Sequence, residues 1–189
     1  MISREQALTL LRKYIKTENT IKHMIATEAI MRALAKRFEP EREEVWAMAG
    51  LLHDLDYEVI ENEKEHGAKT VQILKEENIN VPKEVFSAIK AHCCNYHPEW
   101  KPRNKMEWSL FICDSLTGLI VATALVRPDK KLASVKVKSV MKKFKSKSFA
   151  KGTRREDIKM CEEKLGLSLR EFIEIGLKAM QNISKELGL

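Results

Sequence analysis

The sequence predicts an all-α protein. Helix-capping signals recur along the chain, apolar residues return at helical spacing, and period-two runs of β-branched residues are nearly absent. Only Ser134-Val135-Lys136-Val137-Lys138 alternates, and it also suits the start of a basic helix. At 189 residues and 44% hydrophobic composition, the chain has enough apolar side chains for the core of one large domain.

Ser3-Arg4-Glu5-Gln6 has the form of a capping box and opens a first amphipathic helix. A second is expected over 20–38, where His23 shares a face with Thr27, Ile30 and Leu34. A third, over 41–54, carries Met48, Ala49 and Leu52 ahead of His53. Residues 63–77 follow, with His66, Thr70, Ile73 and Leu74 in register, and then 83–93, where Val85, Ala88 and Ile89 lead to His92. The apolar run from Trp108 to Val121 predicts a helix over 107–126.

Val137, Val140, Met141 and Phe144 form the stripe of a basic helix over 134–146, and helices over 154–164 and 169–187 complete the chain. The last opens on a second capping box, Ser168-Leu169-Arg170-Glu171. Pro40 and Pro82 suit first-turn positions and Gly166 a helix end. Loops are expected over 94–106 and 127–133, and no repeat or linker divides the chain.

The formal charge of +7 is uneven. Residues 127–155 hold twelve Lys or Arg and one acid, Asp129, for +11, so against the total of +7 the remainder carries −4. No apolar run is expected to reach the ~20 residues that span a bilayer, and the N-terminal stretch reads as an amphipathic helix rather than a signal peptide. Cys93, Cys94, Cys113 and Cys161 form no CxxC pair. These features predict a soluble, cytoplasmic protein without a membrane partner. Cys94 and His97 are spaced like half a zinc knuckle whose second half is missing.

Four of the five histidines fall on apolar faces of separate predicted helices. Each buried neutral imidazole needs both ring nitrogens satisfied away from water, so convergence on a shared partner is more economical than four separate solutions. Asp114 sharpens the point, because it lies inside Phe111-Ile112-Cys113-Asp114-Ser115-Leu116. A carboxylate there must be protonated, paired with an Arg or Lys from elsewhere, or ligated. A divalent cation would compensate its charge and use the histidines as well.

The order His23, His53-Asp54, Asp114, at intervals of 30 and 60 residues, resembles the HD-domain superfamily of metal-dependent phosphohydrolases over roughly residues 19–126. The resemblance implies a helical bundle with His23, His53, Asp54 and Asp114 holding a first metal, extended by a basic helical region over 127–189. His66, followed by Gly67, and His92 match the extra histidines of branches that hold a second metal bridged by Asp54. Bacterial diadenosine tetraphosphate hydrolases and cyclic-dinucleotide phosphodiesterases share this order, although the Gly-Tyr-Pro motif of the latter is absent here. Many members carry Gly where this chain has Asp56.

The implied chemistry is hydrolysis of a small anionic phosphorylated substrate, such as a nucleotide, by metal-activated water. His and carboxylate ligands suit one or two ions of Fe, Mn, Co or Zn. Asp54 is the expected bridge, and Asp56 and Glu58 are candidates for a general acid or for ligand support, with helix-end or surface carboxylates as the favoured alternative for both. Arg127, Lys130, Lys138 and Lys142 are candidates for attracting phosphates. Two alternatives stand beside this reading: a nucleic-acid-binding protein gripping backbone phosphates through 127–155, and a dinuclear-iron oxygenase of the same superfamily.

Overall fold

The computed structural model describes residues 1–189, and every regular element is helical. Helix α1 spans Arg4–Tyr14, and Ser3 and Gln6 cap one another's backbone N–H groups. Next come α2 (Glu18–Phe38), α3 (Glu43–Leu52), α4 (Ala68–Glu76), α5 (Lys83–His92) and α6 (Lys105–Leu125). The C-terminal part contains α7 (Val137–Lys145), α8 (Arg155–Met160), α9 (Leu169–Asn182) and α10 (Ser184–Leu187). Ser168 and Glu171 form the second capping box.

Helix α6 runs through the centre, packed by α2, α5, α7, α8 and α9. Its 21 residues are long and apolar enough, by length and composition, to cross a membrane, which corrects the expectation from the sequence. Burial on most sides explains that composition: Leu110, Ile112, Leu116, Leu119 and Ile120 are completely enclosed. The basic segment shares the same core, since Leu132, Val135, Val140 and Phe144 belong to one cluster of 48 buried residues running from Ala7 to Leu187. Its apolar stripe thus docks α7 while the lysines face outward.

Two glycines shape the region between α2 and α4. A Cβ at Gly50 would lie 3.0 Å from the backbone N and Cα of Glu28, so α2 and α3 touch there at backbone level. Gly67 takes φ +77°, and a side chain would strike Cys93 Sγ at 2.7 Å. Its conformation breaks the helix expected over 63–77. Only a short turn at Glu63–Glu65 precedes it, and His66 sits in extended backbone ahead of α4 rather than on a helical face. The expected 169–187 helix is likewise interrupted at Ile183, and residues 161–165 wind as a π-turn closed by left-handed Gly166.

Candidate metal centre

The helices bring the five separate sequence positions of the ligand pattern to one point. His23 comes from the second turn of α2, His53 and Asp54 from the turn that ends α3, His66 from the loop before α4, His92 from the last residue of α5 and Asp114 from the middle of α6. Asp54 stands between two groups. Its Oδ2 lies 3.5 Å from His23 Nε2 and 3.3 Å from His53 Nε2, while Oδ1 lies 3.3 Å from both His66 Nε2 and His92 Nε2. Asp114 Oδ1 completes the first group, 3.0 Å from His23 Nε2 and 3.8 Å from His53 Nε2.

Every imidazole is oriented through its other nitrogen. His53 Nδ1 donates to the Gly50 carbonyl at 2.9 Å, His92 Nδ1 to the Ile89 carbonyl, and His66 Nδ1 to Asp56 Oδ1 at 2.7 Å. Those three partners can only accept, so the Nδ1 proton is assigned by its environment. Thr117 Oγ1 donates to the Asp114 carbonyl and so accepts from His23 Nδ1 at 2.9 Å. All four Nε2 lone pairs are thereby aimed inward, as outer partners do for metal-bound histidines.

That arrangement tests whether a cation fits. His23 and His53 face each other Nε2 to Nε2 at 3.2 Å, and His66 and His92 at 3.1 Å. Two lone pairs at such spacing repel unless a positive charge lies between them. Donors that each bind one ion at about 2.1 Å stand about 3.0–3.4 Å apart, so the spacing and the mixed imidazole–carboxylate chemistry suit first-row divalent metals. His23, His53, Asp54 and Asp114 make one candidate group; His66, His92 and Cys93 make another, which Asp54 Oδ1 adjoins.

Without metal, protons take that role. Burial disfavours the His23 imidazolium, but Asp114 and Asp54 outweigh it and raise its pKa to about 10. His92 is also raised to about 10, against burial, through Cys93 and Asp54. Burial alone would raise Asp114, yet His23 and His53 hold its carboxyl well below the usual range. Cys93 is buried 3.5 Å from His92 Nε2, and the neighbouring imidazoles overcome desolvation to lower its pKa to about 7.

A cavity of about 480 Å³ opens over the centre. His23, Asp54, His66, His92 and Asp114 line it, and Tyr57, Tyr96 and Arg154 stand around them. Arg154 places Nη2 3.1 Å from Asp114 Oδ2, while Asp157 holds its Nε at 2.6 Å. Asp114 is therefore both part of the histidine cluster and paired with an arginine, combining two of the outcomes foreseen for a buried carboxylate.

Several candidates from the sequence fall elsewhere. Asp56 is completely buried and accepts from His66 Nδ1, Gly67 N and Thr70 N, so it orients His66 and has no face toward the cavity for acid chemistry. Glu58 accepts the backbone N–H groups of Lys16 and Thr17 ahead of α2 and does not line the cavity. Arg127, Lys130, Lys138 and Lys142 do not line it either, and Arg127 Nε donates to Ser134 Oγ at 2.6 Å. His97 is engaged by the Lys64 carbonyl and Glu99, not by Cys94.

Arg154 is the residue the sequence did not single out. Its neighbour Arg155 turns away, donating to the carbonyls of Phe144 at 2.7 Å and Ser146 at 2.9 Å, which closes the C-terminal end of α7. Two adjacent arginines thus do different work. The only signal was that Arg154-Arg155 ends the basic run just before acidic Glu156-Asp157.

The HD domain family model matches residues 20–119, just over half of the chain. The protein belongs to the HD-domain family. The match begins three residues before His23, ends five after Asp114 and includes every histidine and carboxylate of the paired groups. No curated protein and no solved structure matched the chain. HD domains are generally metal-dependent hydrolases of the phosphohydrolase superfamily that bind divalent ions, and the His/Asp groups of this HD protein agree with that class.

Proposed function

We propose that this HD protein is a dinuclear phosphohydrolase that removes or transfers to water a phosphoryl group from a small phosphorylated molecule. The observation that carries the proposal is the split use of Asp54, one oxygen toward His23 and His53 and the other toward His66 and His92. His23, His53, Asp54 and Asp114 would hold one ion, and His66, His92 and Asp54 a second. When bound, such ions lower the pKa of water and neutralise charge developing on phosphoryl oxygens.

The protein groups supply orientation. The Nδ1 anchors on Gly50, Ile89, Asp56 and Thr117 keep the imidazoles from turning, so the centre is preorganised. Arg154, fixed by Asp157 and Asp114, presents its remaining guanidinium N–H groups to a phosphate entering the cavity. It is better placed for that than the lysines of α7, which remain outside.

The test is phosphate release from a panel of nucleoside mono-, di- and triphosphates and dinucleoside polyphosphates, using protein reconstituted separately with Mn²⁺, Fe²⁺, Co²⁺ and Zn²⁺. Release that disappears with chelator and in Asp114→Ala is expected. No release with any ion, together with oxygen consumption under air, would move the assignment to oxygenase chemistry.

A further inference from the structure

We infer that a second recess beside the metal centre receives the organic part of the substrate, and that this part is a mainly apolar group of nucleoside size. The inference rests on the phosphohydrolase reading above. The recess holds about 340 Å³ and shares His23 and Asn19 with the metal cavity. The His23 ring is a wall common to both, so a molecule whose phosphate sits at the metals has this space as an immediate neighbour.

The lining is chemically unlike the first cavity. Ala26, Val121, Leu125, Leu187 and Leu189 make it apolar, with Lys22 and Asn19 as polar contacts. Ala26 and Leu187 belong to the core and Val121 and Leu189 pack against it, while Leu125 is 48% exposed, so the hollow is an open apolar edge of the core beside a polar centre. Such lining suits a heterocycle or other flat organic group whose edge meets Lys22 or Asn19. It does not suit inorganic pyrophosphate or a bare sugar phosphate.

Gly118 lines the recess as well. It lies within α6, where glycine costs about 1 kcal/mol relative to alanine. A Cβ there would meet nothing within 4 Å, so no packing contact in the protein demands a glycine, and its φ is not one that favours glycine. Gly118 is exposed at the rim of the recess, so a larger side chain can be placed there without striking the protein.

The experiment is calorimetric titration of Mn²⁺-loaded protein with AMP, phenyl phosphate and inorganic phosphate. Wild type is compared with Gly118→Phe, which fills the recess from an unobstructed position, and with Leu125→Glu, a change at a half-exposed wall. Metal content and thermal melts establish that both variants remain folded and loaded. AMP and phenyl phosphate should lose about tenfold or more in affinity in both variants while inorganic phosphate binds as before. The inference is overturned if AMP binds no more tightly than inorganic phosphate to wild type, if the variants bind AMP unchanged, or if all three ligands weaken equally. If no phosphate compound binds the loaded wild type, it is the phosphohydrolase reading itself that fails.

Discussion

Asp56 accepts the Nδ1 proton of His66 at 2.7 Å while completely buried, and the same carboxylate takes the backbone N–H groups of Gly67 and Thr70. One side chain therefore both starts α4 and aims the His66 imidazole toward Asp54. Asp56→Asn removes the charge and offers one acceptor oxygen where there were two. Affinity for the second ion should fall about 10- to 100-fold, with the first ion retained. Metal stoichiometry after graded dialysis would show it; loss of both ions in parallel would contradict the assignment.

The place of Asp54 between the two histidine pairs predicts, on the proposed function, an unequal series of variants. His92→Ala should lower the bound metal from two ions to one, Asp114→Ala should empty the His23/His53 group, and Asp54→Ala should reduce both. Mass spectrometry of each variant, with melts in chelator to separate metal loss from misfolding, decides the matter. An Asp54 variant that retains two ions would remove it from the centre.

The metal's contribution to stability should grow with pH. In metal-free protein His23 and His92 have pKa values raised to about 10, against about 6.5 for unfolded histidine. Raised folded-state values stabilise fully below about pH 6.5, and that stabilisation is lost as pH climbs toward 10. A metal ion must displace those protons, so its own contribution runs in the opposite sense. The Tm difference between loaded and chelated protein should widen between about pH 6 and about pH 8. A constant or narrowing gap would refute the coupling.

Gly50→Ala should act on the centre through packing alone. The added methyl would meet the Glu28 backbone at 3.0 Å, pushing α2 from α3 and hence His23 from His53. Overpacking of this kind costs about 1–3 kcal/mol. The expected result is a lower Tm in chelator together with weaker binding of the first ion; a variant with wild-type melting and metal affinity would show that the contact relaxes freely.

Arg154→Ala should leave both ions in place and raise KM for phosphorylated substrates more than it lowers kcat, by about tenfold or more for loss of a charged phosphate contact. Arg154→Lys should recover only part of the loss, because an ammonium lacks the guanidinium fork. Steady-state kinetics separate this from metal loss. Variants of Lys138 or Lys142, which lie outside the cavity, should not reproduce it.

The all-α class, both capping boxes and the ligand pattern were legible from local sequence, because capping needs particular residues a few positions apart and buried histidines and Asp114 must be compensated wherever they lie. Tertiary structure decided what is made by residues far apart. The backbone contact at Gly50, the break at Gly67 and the roles of Asp56 and Glu58 depend on which chain segment lies opposite. Charge counting drew attention to the lysines of α7, yet their shared apolar stripe turns them to solvent, and Arg154 alone from that run reaches the cavity. Sequence by itself determined which residue types needed a common partner, since that follows from the cost of burying them; direction and distance, which decide which cation meets the site and which carboxylate merely supports it, arise only when α2, α3, α5, α6 and α8 close on one another.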